Sequence, residues 1–373
     1  MRANHPDLFL IHTGGLFNIA TGTDRISSEF ILAGMREQRY DAVGVQWKGF
    51  AYGLEFPTDS QLPMVASNWP DTTLGKVREI ERGGNRIAYF QWLDPDHSPY
   101  RKMKGQHFVV NPDMNTLDHA LGQARQSGAL TILATDMSKK ETLDKLPLAN
   151  VDIAILKSNY ELYSAPEIVG TTLMLQPGSR GQRLAELKLQ LGDKGRIQHF
   201  EHRVTALPSK VKDAPRLNDW YQGYTDALRA DYKKRVAHRK AQANQPSNYV
   251  GEAACSTCHK QAFDTWKQSR HANAFSTLER ENKAFDANCL GCHTVGFNQP
   301  GGFIDPDITP DRLNVQCEAC HGPGRAHTES DGKRPLQKPK GGSGPVCLQC
   351  HNRSHSPSFD FALTLLAEDL SRT

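Results

Sequence analysis

All eight cysteines of the chain lie between Cys255 and Cys350, in one repeated spelling. Cys255-Ser256-Thr257-Cys258-His259, Cys289-Leu290-Gly291-Cys292-His293, Cys317-Glu318-Ala319-Cys320-His321 and Cys347-Leu348-Gln349-Cys350-His351 are four copies of Cys-x-x-Cys-His. Two thiols at this spacing can form thioether bonds to the two vinyl groups of one porphyrin, and the adjoining imidazole then reaches the iron as its proximal ligand. Four copies imply four covalent haems of the c type. Paired Cys-x-x-Cys knuckles also hold structural zinc, two knuckles per ion. Zinc, however, gives no reason for a histidine after every knuckle, and at this histidine content four such placements have a chance of about one in several hundred thousand. Disulfides are weaker still as a reading, since neighbouring Cys-x-x-Cys pairs are redox motifs rather than staples and no cysteine lies outside a motif.

The sixth ligands follow from an inventory. Besides His259, His293, His321 and His351, the stretch after residue 247 offers His271, His327 and His355, and it contains no methionine. Bis-histidine, low-spin, low-potential iron is therefore expected. His271 follows His259 by twelve residues through a helical Phe263-Asp264-Thr265-Trp266 stretch, about 18 Å along a helix axis. His355 comes one turn after His351 and would point to the same side. Each spare imidazole is thus expected to reach a haem other than its nearest, and seven imidazoles for eight axial positions leave one iron five-coordinate or borrowing a ligand.

The elements that must position these groups divide the chain of 373 residues into two domains and a connection. Residues 1–204 alternate short apolar runs with amphipathic stretches. Leu8–Ile11, Ala42–Val45, Met64–Ala66, Arg86–Phe90, Leu130–Ala134 and Val151–Leu156 read as buried strands. Ser28–Arg39 and Thr116–Ser127 have helical periodicity, the second capped by Asn115 or Thr116. This is an α/β layer pattern with a largely central sheet, and Thr171–Gln176 and Arg183–Leu191 are expected to end that sheet in an antiparallel portion. Residues 205–247 read as a helical linker, with Trp220, Tyr224, Ala227 and Leu228 on one stripe. Residues 248–373 are rich in Gly and Pro and thin in apolar side chains, so porphyrin is expected to supply the interior, with short helices around it. His12, His97, His107 and His119 read as ordinary core or surface histidines.

Two resemblances add to this. Tyr40-Asp41-Ala42-Val43-Gly44-Val45 with Ala51-Tyr52-Gly53, Leu62 to Asn68, and Gln176-Pro177-Gly178-Ser179-Arg180-Gly181-Gln182 resemble the metallophosphoesterase domain of 5'-nucleotidases over roughly residues 7–200. That family binds two metal ions through an early Asp-x-His, a Gly-Asp, an Asn-His-Glu and late histidines. Here Gly15-Leu16-Phe17 stands at the first, Trp47-Lys48-Gly49 at the third, Lys157-Ser158-Asn159-Tyr160-Glu161 follows where the late histidines belong, and the Gly-Asp segment is missing. The resemblance with these departures implies a degenerate α/β sandwich domain without hydrolysis, and neither zinc nor a dinuclear metal site is expected in it. Tyr249-Val250-Gly251, Trp266 to Ala272, Val295-Gly296-Phe297, Gly301-Gly302-Phe303 and His321-Gly322-Pro323-Gly324, together with the four motifs, resemble the tetrahaem cytochrome c-554 family. By that resemblance His271 and His327 are distal ligands, the haem at His293 is the one open to small molecules, and His355 lacks a counterpart.

A net charge of +4 with dispersed basic residues gives no footprint for nucleic acid, and the cluster from Lys333 to Lys340 reads as a solvated loop. No run is long and apolar enough for a bilayer span, and Met1 to Asp7 has no secretory apolar region. Covalent haem attachment belongs outside the cytoplasmic membrane, so a periplasmic or extracellular location is expected and the chain is expected to have lost its original beginning. Electron carriage between redox partner proteins or terminal acceptors is the function expected. Redox catalysis on a nitrogen oxide at a five-coordinate haem, and a polymeric filament in which one protomer caps the next one's haem, are the alternatives.

Overall fold

The computed structural model describes residues 5–17, 24–102, 108–157, 164–178, 181, 183–207, 211–241, 246–336, 343–352, 356 and 358–361. Two compact units divide the chain, Met1–Gln222 and Gly223–Thr373.

In the first unit β1 (Ile11–His12), β2 (Ala42–Gly44) and β3 (Met64–Val65) form a small parallel sheet. A second sheet has the order β4-β5-β6-β7-β9-β8, from β4 (Arg78–Arg82), β5 (Asn85–Trp92), β6 (Leu130–Thr135), β7 (Ile153–Ile155), β8 (Ser164–Val169) and β9 (Thr172–Gln176). Its inner strands run parallel and its two edges antiparallel. The inner strands are apolar without alternation because both faces are covered. Helices α1 (Asp24–Gln38) and α2 (Glu55–Thr58) belong to the small sheet's side, where Leu32 and Met35 of α1 pack on Val43, Val45, Trp47 and Phe50. On one face of the larger sheet Phe90, Leu133 and Met174 meet Leu117 and Leu121 of α3 (Met114–Gln126). On the other face Tyr89, Ile132 and Leu173 meet Ala42 and Val65 of the small sheet. The sheets approach so closely that a Cβ on Gly44 would lie 2.0 Å from the Gln91 side-chain oxygen, so only glycine fits there.

Several expectations need correction. The α/β sandwich is present, but its strands divide between two packed sheets rather than one central layer. The strand β10 (Arg183–Leu191) does not extend it. Instead β10 pairs with β11 (Ile197–Ala206) in a separate antiparallel hairpin, whose Leu187, Leu189 and Phe200 cover the larger sheet. Strands β4, β8 and β11 lack an apolar run to mark them: β4 is Arg-Glu-Ile-Glu-Arg, β8 opens Ser-Ala-Pro-Glu, and β11 mixes Gln, His, Glu and Arg with its apolar residues. The cap of α3 is Asp113, whose carboxylate accepts from Asn115 N and the Thr116 hydroxyl, just ahead of the expected position. A further helix, α4 (Lys139–Lys145), opens with a reciprocal capping box between Ser138 and Glu141.

Helix α5 (Asn218–Lys240) starts after a single turn at Pro215–Leu217. Its Trp220 indole donates to Phe30 O at 2.9 Å and packs on Gly34 in the first unit. Further on, the Tyr232 hydroxyl donates to Asp305 at 2.7 Å in the second. That unit consists of short helices: α6 (Glu252–Ser256), α7 (Lys260–Gln268), α8 (Ala274–Arg280), α9 (Ala287–His293), α10 (Cys317–His321), α11 (Arg325–Thr328) and α12 (Ser343–Cys350). It does hold a small protein core, Phe275, Leu278, Leu290 and Phe303, flanked by Tyr232, Phe297 and Cys289. Phe and Leu dispersed singly among polar residues gave no periodic signal for it.

Candidate haem-binding site

Each motif folds as one helical turn or its immediate edge. The second motif lies within α9 and the third forms α10. The first begins in α6 and the fourth in α12, with His259 N bonded to Cys255 O at 3.0 Å and His351 N to Cys347 O at 2.8 Å. Positions i, i+3 and i+4 share a helical face, so both thiols and the imidazole of a motif project together. Asp286 caps the second motif by accepting from Asn288 N. Gly322, at φ 76°, ends the third with a backbone conformation that suits glycine. All eight thiols are free of disulfides.

The motifs are not evenly spread. Glu318, inside the third, is buried and accepts from Val250 N, Gly251 N and Gly324 N at 2.7 to 3.1 Å. This anchors the entrance to α6 on α10, and burial raises the Cys255 thiol to about 11 with the Cys317 thiol beside it adding to the effect. Burial likewise raises Cys320, with Cys347 close by. A hydrogen bond between Cys292 and Cys350 draws the Cys292 thiol down. The neighbour order of the motifs is therefore first, third, fourth, second.

Two pairs of imidazoles face each other across motifs. The rings of His259 and His327 are 6.1 Å apart at 24°, and those of His271 and His351 are 5.9 Å apart at 64°. Two axial nitrogens about 2 Å from one metal put ring centroids about 6 Å apart, so both spacings fit an iron between them. Their second nitrogens are engaged. His327 Nδ1 meets Arg334 O at 2.7 Å and His351 Nδ1 the Ser356 hydroxyl at 3.1 Å, and His293 Nδ1 meets Ala274 O at 2.7 Å. A carbonyl at Nδ1 fixes the proton there in His327 and His293 and leaves Nε2 as the free donor. Burial, then the charge of His351, lowers the pKa of His271, favouring the neutral ring a metal ligand needs. His271 itself is not on a continuous helix: α7 stops at extended Ser269, and His271 sits in a tight turn whose carbonyl accepts from Val315 N. That turn shortens the reach expected of a straight helix. Among the described residues no histidine ring is paired with His293 or His321, and His355 lies outside them.

In the first unit Gly15 and Phe17 from the loop after β1, and Gln46 and Gly49 from the turn after β2, line one small cavity. Gln46 occupies the gap: its amide donates to Thr13 O at 2.9 Å, and Cβ atoms on Gly14 or Gly15 would lie 2.8 Å from its side chain. The remaining cavity, about 10 Å3, has room for roughly one water. Of the late segment only Lys157 is described; His107 and residues 158–161 lie outside the described residues. His12 is largely buried and neutral, its Nδ1 accepting from Gly14 N, with burial lowering its pKa to about 4.

Residues 254–322 match the family described as Cytochrome c554 and c-prime. That stretch is similar to the cytochromes c554. Cytochrome c-554 of Nitrosomonas europaea is 38% identical over 92 residues, which cover 21% of this chain and 39% of that protein. The sulfate thiohydrolase SoxB of Thermus thermophilus shares the fold of the N-terminal part, with a TM-score of 0.50 at 18% identity, covering 61% of this chain and 44% of that one. A 5'-nucleotidase precursor, also from Thermus thermophilus, aligns with a TM-score of 0.49 at 15% identity, over 60% and 50% of the two chains. The chain thus spans about two fifths of the curated relative and less than half of the first of these solved structures.

The matched stretch contains the thiols and proximal histidines of the first three motifs; it ends at Gly322, before the fourth. One cluster escaped the sequence reading. Asp94, His97 and Glu141 of the first unit bring their ligating atoms within 4.8 Å of one another. The local Asp-Pro-Asp-His spelling was a signal. Glu141 arrives from a different element and had none.

Proposed function

We propose that the protein is a multihaem c-type cytochrome that carries electrons through four covalently attached haems in the periplasm or outside the cell. Cys255 and Cys258, Cys289 and Cys292, Cys317 and Cys320, and Cys347 and Cys350 are the attachment pairs, with His259, His293, His321 and His351 as proximal ligands. The tetrahaem domain is taken as 248–373, joined by the linker 205–247 to the phosphoesterase-like domain 1–204. The observation that carries the reading is the facing of His259 by His327 and of His271 by His351. Both pairs join residues of different motifs or helices, at the separation an axial pair requires. An iron held this way changes oxidation state by one electron, and the chain's part is to fix both imidazoles and exclude other ligands. The motif order first, third, fourth, second gives a continuous row, so electrons would enter at one end and leave at the other to redox partners.

A second reading, ligand chemistry at an open iron, is favoured by one feature: neither His293 nor His321 has a facing histidine among the described residues, and the cytochrome c-554 resemblance points to the first. The first unit, with Gly15, Phe17, Trp47 and Lys48 where carboxylates and imidazoles are required, serves as a scaffold or docking module. Pyridine haemochrome analysis with intact mass should give four haems per chain; bare polypeptide mass would sink the proposal. Electron paramagnetic resonance then decides between the readings. A high-spin signal that binds carbon monoxide favours the open iron, uniformly low-spin iron the pure conduit. Low-spin iron found only in assembled material would favour a filament. Phosphomonoesterase assays with added Mn2+ or Zn2+ should show no turnover.

A further inference from the structure

The cluster in the phosphoesterase-like unit is built from three loops. Asp94 follows β5 and caps the turn Pro95–His97, accepting from Asp96 N at 2.9 Å. Asp136 follows β6, and Glu141 sits in the first turn of α4, its second oxygen tied to Ser138 N at 2.8 Å. The imidazole of His97 lies among all of them. Its Nε2 is 3.0 Å from Glu141 Oε1 and 3.9 Å from Asp94 Oδ2, and its Nδ1 is 3.4 Å from Asp136 Oδ2. The side chains of Asp94 and Asp136 are only 3% and 9% exposed, whereas His97 and Glu141 open to solvent at 27% and 36%.

Two features point beyond an ion-pair network. His97 Nδ1 is buried and makes no hydrogen bond, although a buried carboxylate stands 3.4 Å away. A carboxylate on the far nitrogen of a histidine is how proteins orient an imidazole whose other nitrogen holds a metal. Charge is also only partly compensated, with Lys157 acting on Asp136 from beyond ion-pair distance. Lys145 pairs with Asp94 and Asp96 at 3.0 and 3.1 Å, while among the described residues the ion pairs of Asp136 and Glu141 are with His97 alone. Buried carboxylates without a full countercharge are costly.

We propose that Asp94 Oδ2, His97 Nε2 and Glu141 Oε1 form a mononuclear site for a divalent first-row cation, best suited to Zn2+, with Asp136 holding the imidazole in place. Donors at 2.0 to 2.2 Å from a tetrahedral ion are about 3.4 Å apart, so separations of 3.0 to 4.8 Å close on an ion with shifts of about 1 Å. One nitrogen and two carboxylate oxygens suit Zn2+ or Mn2+ rather than a soft ion. Three protein donors leave one position for water, on the side where His97 and Glu141 are exposed. Lys145 is the resident cation the metal must displace from Asp94. The site uses none of the residues of the dinuclear pattern, and it departs from the expectation of no zinc in this unit.

Titrating Zn2+ into the haem-loaded full chain, after chelator treatment, tests this by calorimetry and by the thermal midpoint. Haem loading matters because thioether-bound cysteines no longer compete for the ion. One equivalent should bind, and Glu141→Gln, which keeps the Ser138 cap acceptor, should weaken it at least tenfold. His97→Ala should abolish it. Asp136→Asn should weaken binding about tenfold, and Lys145→Ala should tighten it several-fold. Zn2+ uptake equal in wild type and in both His97→Ala and Glu141→Gln would mean surface adsorption only and would overturn the site. So would a Lys145→Ala protein that binds no more tightly than wild type.

Discussion

The imidazoles of His259 and His327 have their centroids 6.1 Å apart and their planes 24° from parallel, although one precedes α7 and the other lies in α11. Arg334 O holds the Nδ1 proton of His327, so its Nε2 lone pair is the one available toward His259. Replacing His327 with alanine should turn one haem high-spin without loss of covalent haem. Visible and paramagnetic resonance spectra beside intact mass would show this, and a spectrum that stays wholly low-spin would remove His327 from the ligand set.

His271→Ala should do the same to a different haem, the one at His351. The double variant should then carry two high-spin equivalents, because the two pairs share no residue. If the single variant leaves the spectrum unchanged, the His271 ring only packs against His351.

Glu318 bonds three backbone N–H groups of two separate segments from a buried position. Hydrogen bonds to a charged group contribute about 1.5 to 3 kcal/mol each, and stranding their partners costs more than replacing them. Glu318→Ala should therefore destabilise the second unit by roughly 3 to 5 kcal/mol, and Glu318→Gln by less. Guanidinium unfolding followed at the haem band measures it. A shift below about 1 kcal/mol for the alanine variant would contradict the anchoring role.

Acid should weaken the first unit through His12, whose pKa burial lowers from 6.5 to about 4. Above pH 6.5 folded and unfolded forms are both neutral at this site and its full contribution is present. Between 6.5 and about 4 the unfolded chain takes up a proton that the folded one refuses, so stability falls with pH by at most about 3 kcal/mol. His12→Gln, which keeps an acceptor for Gly14 N, should flatten that slope. An identical pH profile for the variant in chemical denaturation would exclude the mechanism.

What was legible in the sequence was what short-range chemistry dictates. Cys-x-x-Cys-His needs only adjacent residues to present two thiols and an imidazole on one helical face, and so its four copies could be read directly. Buried parallel strands such as Leu130–Thr135 announce themselves as unbroken apolar runs, whereas β4, with charge on both sides of Ile80, does not.

Tertiary structure alone decided which groups meet. Nothing local tells that the turn after Ser269 swings His271 to His351, that Glu318 anchors the first motif on the third, or that α4 delivers Glu141 to His97. Ligand pairing across a metal depends on the path of the chain between distant elements, and packing and buried hydrogen bonds set that path rather than the spacing of residues along it.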